Sequence, residues 1–417
     1  MKKTLAFAIG ACILWTGGSV SAAEIEEGTV LSSRNIDQLY ESTFEGHKIK
    51  DLLIEKVEWR IRKQGFELPL VHSKPVVLGE AQVSLAQQNV GKVSINQEKG
   101  RVDGWVGESP FPNVDENDPK IAEKLVWNWY YGANKGDMTY VPKFAFVLID
   151  GDSGVERTQT WQSLSYKMKG RVTGESSKGD GTELSRSLIS ATAPRDIKGL
   201  GTFSIRKDNA EVDDVWAYIR SVRRTRRLSG GAWMDPVGGT DQLQSDTEIF
   251  NANPAWYEGF RFLGKRHILT VAHGVPNHWG NNSELQDYGV MDADNAPHWN
   301  FNGDRYEPRE VYVVEATPPS EHPYSKKILY IDTQYPRIHM GEAYDKNGKY
   351  WKMLQFNSRP YQNEDGYVDV RTTSGLIIDF KRNHATAFFP DQDTWQVNLE
   401  GKDERDVSLQ ALRSSAR

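Results

Sequence analysis

Three histidines are the first candidates for chemistry. His267, His273 and His278 lie close in sequence, the last two within AHGVPNHWGNN, and suggest a metal site at first reading. Their spacing is not the HExxH that puts two imidazoles on one helical face, and the Asn, Gly and Pro around them read as a polar loop. No Gly-x-Ser-x-Gly occurs, so the turn that presents a nucleophilic serine has no candidate. Gly230-Gly231 and Gly238-Gly239 lack the lysine and helix of a phosphate loop. Asp213 and Asp214 are adjacent, so a strand would send them to opposite faces, which is wrong for shared acid-base work. Asp241 and Asp246 read as arginine partners or turn formers. The expectation is a protein with no catalytic set, no metal ligands and no cofactor.

The second cluster is DVWAYIRSVRRTRRLSGG, from Asp214. Read as strand, turn and strand, it places Trp216 and Tyr218 on one face. After the turn, Val222, Arg224 and Arg226 share one side, and Arg223, Thr225 and Arg227 the other. Arginines on both sides cannot all be buried, so the hairpin reaches solvent or lines an open rim. Two readings stand. Either this is a charged edge that resists aggregation, paired with Asp213, Asp235 or Asp241, or Arg223, Arg224, Arg226 and Arg227 hold anionic headgroups or an acidic partner.

The compartment limits the partners. Residues 1–22 have a charged start (Lys2, Lys3), an apolar run from Leu5 to Trp15 and small residues up to Ala22-Ala23, the layout of a cleaved secretory signal. Export to the periplasm is expected, with cleavage near Ala22 or Ala23. The one cysteine, Cys12, lies within that segment, so the mature chain holds no thiol for disulfides or metal. A lipobox at Ile9-Gly10-Ala11-Cys12 is the alternative, with Cys12 anchored to lipid. Formal net charge is −6, and loss of Lys2 and Lys3 makes it −8, which argues against nucleic acid as the partner.

The elements divide the chain into a helical region, about 36–135, and a β-rich remainder. Ile49, Leu52, Leu53, Val57 and Ile61 predict a helix over 48–64 ending at Gly65, and a second helix is predicted over 79–89. In DPKIAEKLVWNWYYG, Asp118 can cap, Pro119 suits the first turn, and Ile121, Ala122, Leu125, Val126 and Trp129 form a stripe. A hairpin is predicted to turn at Lys99-Gly100. From Phe144 to Arg382 short β-branched and aromatic runs recur without long helices, predicting a mainly β, α+β chain with an extended antiparallel sheet of nine to eleven strands. Residues 176–199 and 273–305 read as loops. In KKILYIDT from Lys326, Ile328 and Tyr330 point one way while Leu329 and Ile331 point the other, so both faces of the sheet need a cover. Strands of one character continue throughout, and 23–417 reads as one domain.

The blocks GESPFPNVDENDPKIAEKLVWN from Gly107, KGLGTFSIR from Lys198, VWAYIRSVRRTRRLSGG from Val215 and DPVGGTDQLQSDTEIFNANPAWYEGFRFLGKRHIL from Asp235 resemble those of the domain of unknown function 1329 family of Gram-negative envelope proteins. Its arginine hairpin is similar to that of the LolA, LolB and LppX carriers, although Arg220 stands where that hairpin usually has a proline. The resemblance implies a large curved antiparallel sheet or half-barrel with N-terminal helices closing a hydrophobic cavity for acyl chains. The ring-rich composition, 11% aromatic, suits such a lumen. Trp161, Trp216, Tyr218, Tyr330, Trp351 and Met353 are the candidate lumen residues, each with core packing as the alternative.

Three functions stay open on sequence: a carrier of lipid or another hydrophobic molecule between the inner and outer membrane, an adaptor subunit of an envelope transporter, and a hydrolase with an unrecognised site. An inner-membrane transporter or outer-membrane protein is the expected partner of the first.

Overall fold

The computed structural model describes residues 23–133, 136–219, 224–228, 230–399 and 401–415. The signal segment, Cys12, Arg220 and Arg223 lie outside the described residues. Four helices matter below: α1 (Glu55–Lys63), α2 (Glu80–Gln87), α3 (Ile121–Gly132) and α4 (Leu409–Ser415). The strands are β1 (Met138–Asp150), β2 (Gly154–Lys167), β3 (Glu183–Ala193), β4 (Gly201–Lys207), β5 (Asp214–Ile219), β6 (Arg224–Arg227) and β7 (Gly259–Thr270). They continue as β8 (Glu307–Thr317), β9 (Lys326–Asp332), β10 (Ile338–Tyr344), β11 (Tyr350–Gln362), β12 (Val368–Asp379), β13 (His384–Pro390) and β14 (Gln396–Val397).

All 14 form one antiparallel sheet, ordered β6-β5-β4-β3-β2-β1-β13-β12-β11-β10-β9-β8-β7, with β14 also on β1. Two meanders therefore meet at the β1/β13 pair, and the sheet stays open, with β6 at one edge and β7 at the other. The chain from β6 to β7, residues 228–258, has to cross the sheet from edge to edge. It does so over one face. Gly238 lies against Trp161 of β2, the Asp241 amide donates to Thr386 of β13, Asp246 meets Lys327 of β9, and the Glu258 amide donates to Thr317 of β8.

That strap and α3 cover one face, here the α3 face, where Leu329, Ile331, Leu354, Phe356 and Ile377 pack with Ile121, Leu125, Trp129 and Phe250. The opposite face takes three covers. Residues 25–70 pack Leu31, Phe44, Ile61 and Phe66 on Tyr330, Met340 and Met353. The connection before β8 packs Trp279, Trp299 and Phe301 on Val147, Ile378 and Ala387. At the C-terminus, Val407 and Leu412 pack on Leu188, Phe203 and Tyr218. Alternating burial of apolar side chains on both sides of β9 requires this double covering. Between the faces, residues 71–92 round the strand ends, where the Val76 amide donates to Gln334 and the Val368 amide to Gln82.

Several expectations change in detail. The helix predicted over 48–64 is a turn at Ile49–Leu52 followed by α1, because Leu53 and Ile54 are extended. Leu52, Leu53 and Ile54 are all buried, and three consecutive residues cannot share one helical face, so the extended step turns each inward. The α3 stripe lies as read, but Lys120 occupies the cap position, and Asp118 accepts from its amide at 2.8 Å. Residues 176–199 are not wholly loop, since they contain the 11-residue strand β3. Its Ser185 and Ser187 lie in a half-buried row that demands no apolar side chains, and this hid the strand from the pattern. The sheet also exceeds the nine to eleven strands expected.

The hairpin turns at Lys99-Gly100 as predicted, between Ser94–Asn96 and Arg101–Asp103. Gly100 has φ +61°, a Cβ there would fall 2.5 Å from Ala210 Cα, and Asn253 donates to the carbonyls of Gly100 and Asn209. Gly100→Ala combines left-handed strain with a backbone clash, so we expect at least about 2 kcal/mol of destabilisation, read as a fall in denaturation midpoint with an unchanged slope.

Candidate functional site

The α3 face holds the candidate site. Helix α3 turns Trp127 and Tyr131 toward Trp105, with Trp127 stacked on Tyr131 at 5.4 Å, while the Trp129 indole donates to the Phe250 carbonyl at 2.6 Å. Tyr131 OH donates to Asp208 at 2.6 Å, and burial pushes that phenol far above its ordinary pKa. The helix is thus fastened by rings and buried hydrogen bonds to the hairpin, the sheet and the strap.

Two hollows flank α3. One, of about 180 Å³, lies between the helix's C-terminal turn and β2 to β4, lined by Trp129, Tyr130, Tyr166, Lys167, Arg206 and Phe250 among others. The second, of about 260 Å³, lies on the other side, lined by Leu78, Val83, Glu108, Leu125, Tyr312 and Tyr335 among others. Rings and aliphatic groups share both linings with polar and charged side chains, a mixture suited to an amphiphilic ligand.

A buried ion pair pins the strap. Lys327 is 1% exposed and Asp246 fully buried; the Lys327 Nζ donates to Asp246 Oδ1 at 2.5 Å and to the Ile249 carbonyl, and Tyr324 OH donates to Asp246 Oδ2 at 2.6 Å. Burial pushes the Asp246 carboxyl up, but Lys327 and Lys352 outweigh it and hold the group below the usual carboxylate range. Further along, Lys352 donates to the Asp241 carbonyl at 2.6 Å, and Asp241 Oδ2 meets His384 Nδ1 at 2.6 Å and accepts from Thr386 at 2.8 Å. Of the arginine partners or turn formers expected, Asp241 takes an arginine, Arg382, together with His384 and Thr386, and Asp246 forms the turn at Gln244–Asp246, accepting from the Leu243 amide at 3.1 Å, with a lysine as its ion-pair partner.

The six candidate lumen residues separate. Trp161 and Trp351 lie on the α3 face, the first beneath Gly238 and the second edge-on to Tyr324 at 5.4 Å. Tyr330 and Met353 are buried on the opposite face against residues 25–70, and Trp216 and Tyr218 lie there in the cluster that includes Val407 and Leu412. A bulge separates Trp351 from Met353, because Tyr344 and Ala343 pair with Tyr350 and Lys352, which breaks the simple alternation along β11.

The arginine hairpin forms the β6 edge. Arg224 and Arg226 pair with Ile219 and Ala217 on the α3 face, Thr225 and Arg227 with Tyr218 and Trp216 on the other, and all three arginines are exposed. Arg227 pairs with Asp214 rather than with the three aspartates expected; Asp213 instead holds Arg206 at 2.7 Å. The three histidines go separate ways, His267 stacking on His47 at 3.7 Å, His273 on Glu307 at 3.0 Å and His278 on Asp393 at 2.7 Å.

Sequence reasoning missed Lys327, Lys167 and Ser165, and it did not pair Asp246 with a lysine. One signal was present: a lysine within a strand apolar on both faces, as in KKILYID, must find a buried acceptor.

The open antiparallel sheet with helical and strap covers defines a half-barrel class of fold. Within that class, the chain belongs to the family described as Protein of unknown function (DUF1329), which matches residues 30–413. Solved structures with partial similarity include a domain named for outer membrane lipoprotein sorting from Vibrio parahaemolyticus (17% identity, 71% of this chain and 100% of that one, TM-score 0.48). A DUF1329 family protein from Desulfovibrio piger is 18% identical over 66% of this chain and 92% of that one, with TM-score 0.44. A LolA superfamily protein from Nitrosomonas europaea is 15% identical over the same shares, 66% and 92%, with TM-score 0.37. No curated protein matches the chain.

Two outcomes test the strap. Lys327→Met strands a buried carboxylate, so stability should fall by about 3–5 kcal/mol, whereas Lys327→Met with Asp246→Leu should recover most of the loss; thermal melts of the cycle decide. His322, beneath the strap, accepts from the Tyr324 amide at 3.0 Å, and burial, then Lys327, push its pKa down to about 4. The unfolded imidazole titrates near 6.5, so between about 6.5 and 4 the unfolded chain binds the extra proton and this contribution to stability falls as pH falls. The Tm advantage of wild type over His322→Gln should therefore shrink from pH 7 to pH 4.5.

Proposed function

We propose that the chain is a periplasmic carrier, residues 23–417 acting as one domain, that takes a lipid or other hydrophobic molecule onto the α3 face of its sheet and passes it between membranes without catalysis. The pair of ring-lined hollows beside α3 carries this reading. Each is smaller than the roughly 300–1,000 Å³ of a site for a drug-sized ligand, at about 180 and 260 Å³. Loading therefore requires α3 or the strap to shift and join them. Each CH₂ buried contributes about 0.8 kcal/mol, so a long acyl chain offsets the loss of several of the apolar contacts α3 now makes. In this reading Trp161 and Trp351 meet the ligand, Arg224, Arg226 and Arg227 stand at the open edge where a headgroup or partner arrives, and an inner-membrane transporter or outer-membrane protein is the donor or acceptor.

Native mass spectrometry of the mature protein from cells, with solvent extraction, should find a bound lipid or other hydrophobe. Long-chain fatty acid or phospholipid should quench tryptophan emission of the stripped protein with saturation. Protein that emerges empty and is not quenched contradicts the carrier reading, and a transporter recovered with such empty protein makes the chain an adaptor.

A further inference from the structure

Beyond the strap, the α3 face changes character. On β2 to β4 most of its residues are short, polar and only half buried: Ser163, Ser165, Ser185, Ser187, Thr202 and Ser204. Register places Ser165 beside Ser187 and Ser187 beside Ser204, with the Ser165 and Ser187 hydroxyls 3.1 Å apart. The next row reads Lys167, Ser185, Arg206 across three adjacent strands. Neighbouring strands are about 4.8 Å apart, so the Lys167 and Arg206 backbones stand roughly 10 Å from one another with Ser185 between them. This row and Ser165, Ser185 and Ser187 form one wall of the smaller hollow, and Trp129, Tyr130 and Phe250 form the other.

The cations around that hollow are unequally engaged. Arg206 donates to Asp213 at 2.7 Å and to Asn251 at 3.0 Å, and Lys169 donates to Asp208. The Lys167 Nζ is buried and, among the described residues, has no hydrogen-bond acceptor; Glu108 Oε1 lies 3.9 Å away. Burial pushes the Glu108 carboxyl up, against the pull of Lys167, so this neighbour is held toward its neutral form. A buried ammonium with three donors and no hydrogen-bonded acceptor is costly, and an oxyanion seated beside the serine hydroxyls, met by a turn of the Lys167 side chain toward the hollow, relieves the cost.

We propose that Lys167, with the Ser165, Ser185 and Ser187 hydroxyls, binds the carboxylate or phosphate of an anionic amphiphile whose apolar part lies on Trp129, Tyr130 and Phe250. The inference rests on the carrier reading and names its ligand class: a hydrophobe with an anionic end, seated charge-first at β2 to β4. Arg224 and Arg226 project from the same face at the adjoining edge and give an approaching anion a positive path.

The test titrates the stripped mature protein with dodecanoate, dodecyl phosphate, 1-dodecanol and inorganic phosphate, following tryptophan emission and heat. Wild type, Lys167→Met, Lys167→Arg and Lys48→Met, a lysine paired with Glu41 in the cover of the opposite face, are compared, with melts to verify folding. The two anionic amphiphiles should bind wild type at least about tenfold more tightly than dodecanol, as expected for a charge-assisted hydrogen bond. Lys167→Met should remove that margin and leave dodecanol within about twofold, while Lys167→Arg and Lys48→Met keep it. Inorganic phosphate that binds as tightly as dodecyl phosphate, dependent on Lys167, assigns the site to a free anion and overturns the amphiphile assignment. Equal binding of alcohol and anions, or margins indifferent to Lys167→Met, overturns the inference and leaves the carrier reading standing. Should Lys167→Met not fold, Lys167→Arg and the alcohol comparison still decide. Failure of every amphiphile to bind wild type overturns both.

Discussion

The structure depends on one topological constraint: β6 and β7 occupy opposite edges of the sheet and are joined by residues 228–258. Thirteen strands in a row span roughly 58 Å at about 4.8 Å per step, and a segment of this length reaches roughly 100 Å when extended. The strap can therefore cross with slack. It uses that slack to make short 3-10 turns at Gln244–Asp246 and Pro254–Trp256 and to sink Asp246, Phe250 and Tyr257 into the face. A face that must be crossed by its own chain is a face whose cover can be displaced without breaking a strand pairing.

The two sides of the sheet are built for different ends. On one, residues 25–70, the connection before β8 and the C-terminal segment interlock with alternating apolar residues in continuous clusters. Even there a charge is buried: Arg60 is held by Asn300 at 2.9 Å and by the Phe66 ring at 4.1 Å, and burial pushes it down to about 10. On the α3 face, rings and aliphatics are interrupted by specific polar fastenings, Lys327 to Asp246 and Lys352 to the Asp241 carbonyl. Such pairs contribute little net stability but fix the strap in one register, because any other position leaves a buried charge alone.

Much of this was legible in the residues themselves. The two-sided apolar pattern of Lys326–Asp332 demanded two covers, the α3 stripe showed which helix could supply one, and arginines on both sides of 223–227 required an exposed edge. Strand β3 was concealed because its α3-face row begins with two serines, Ser185 and Ser187, and serine in series reads as loop when the face it lines is open. The Lys327 and Asp246 partnership joins residues far apart in sequence, and no local pattern encodes it. Nor could alternation foresee the bulge at Trp351, which sends that ring and Met353 to opposite faces. The division of the six aromatic and methionine candidates between two faces follows from which segment covers which side, a property of the whole topology.

In the carrier proposed above, ligand enters on the α3 face by displacing α3 and the strap. Amide hydrogen exchange of the mature protein, with and without saturating dodecanoate, tests it most directly. Exchange should alter in Ile121–Gly132 and across 240–257, with β8 to β12 unchanged. Binding accompanied by changes confined to residues 25–70 and 271–306 would put the ligand on the other side of the sheet and contradict it.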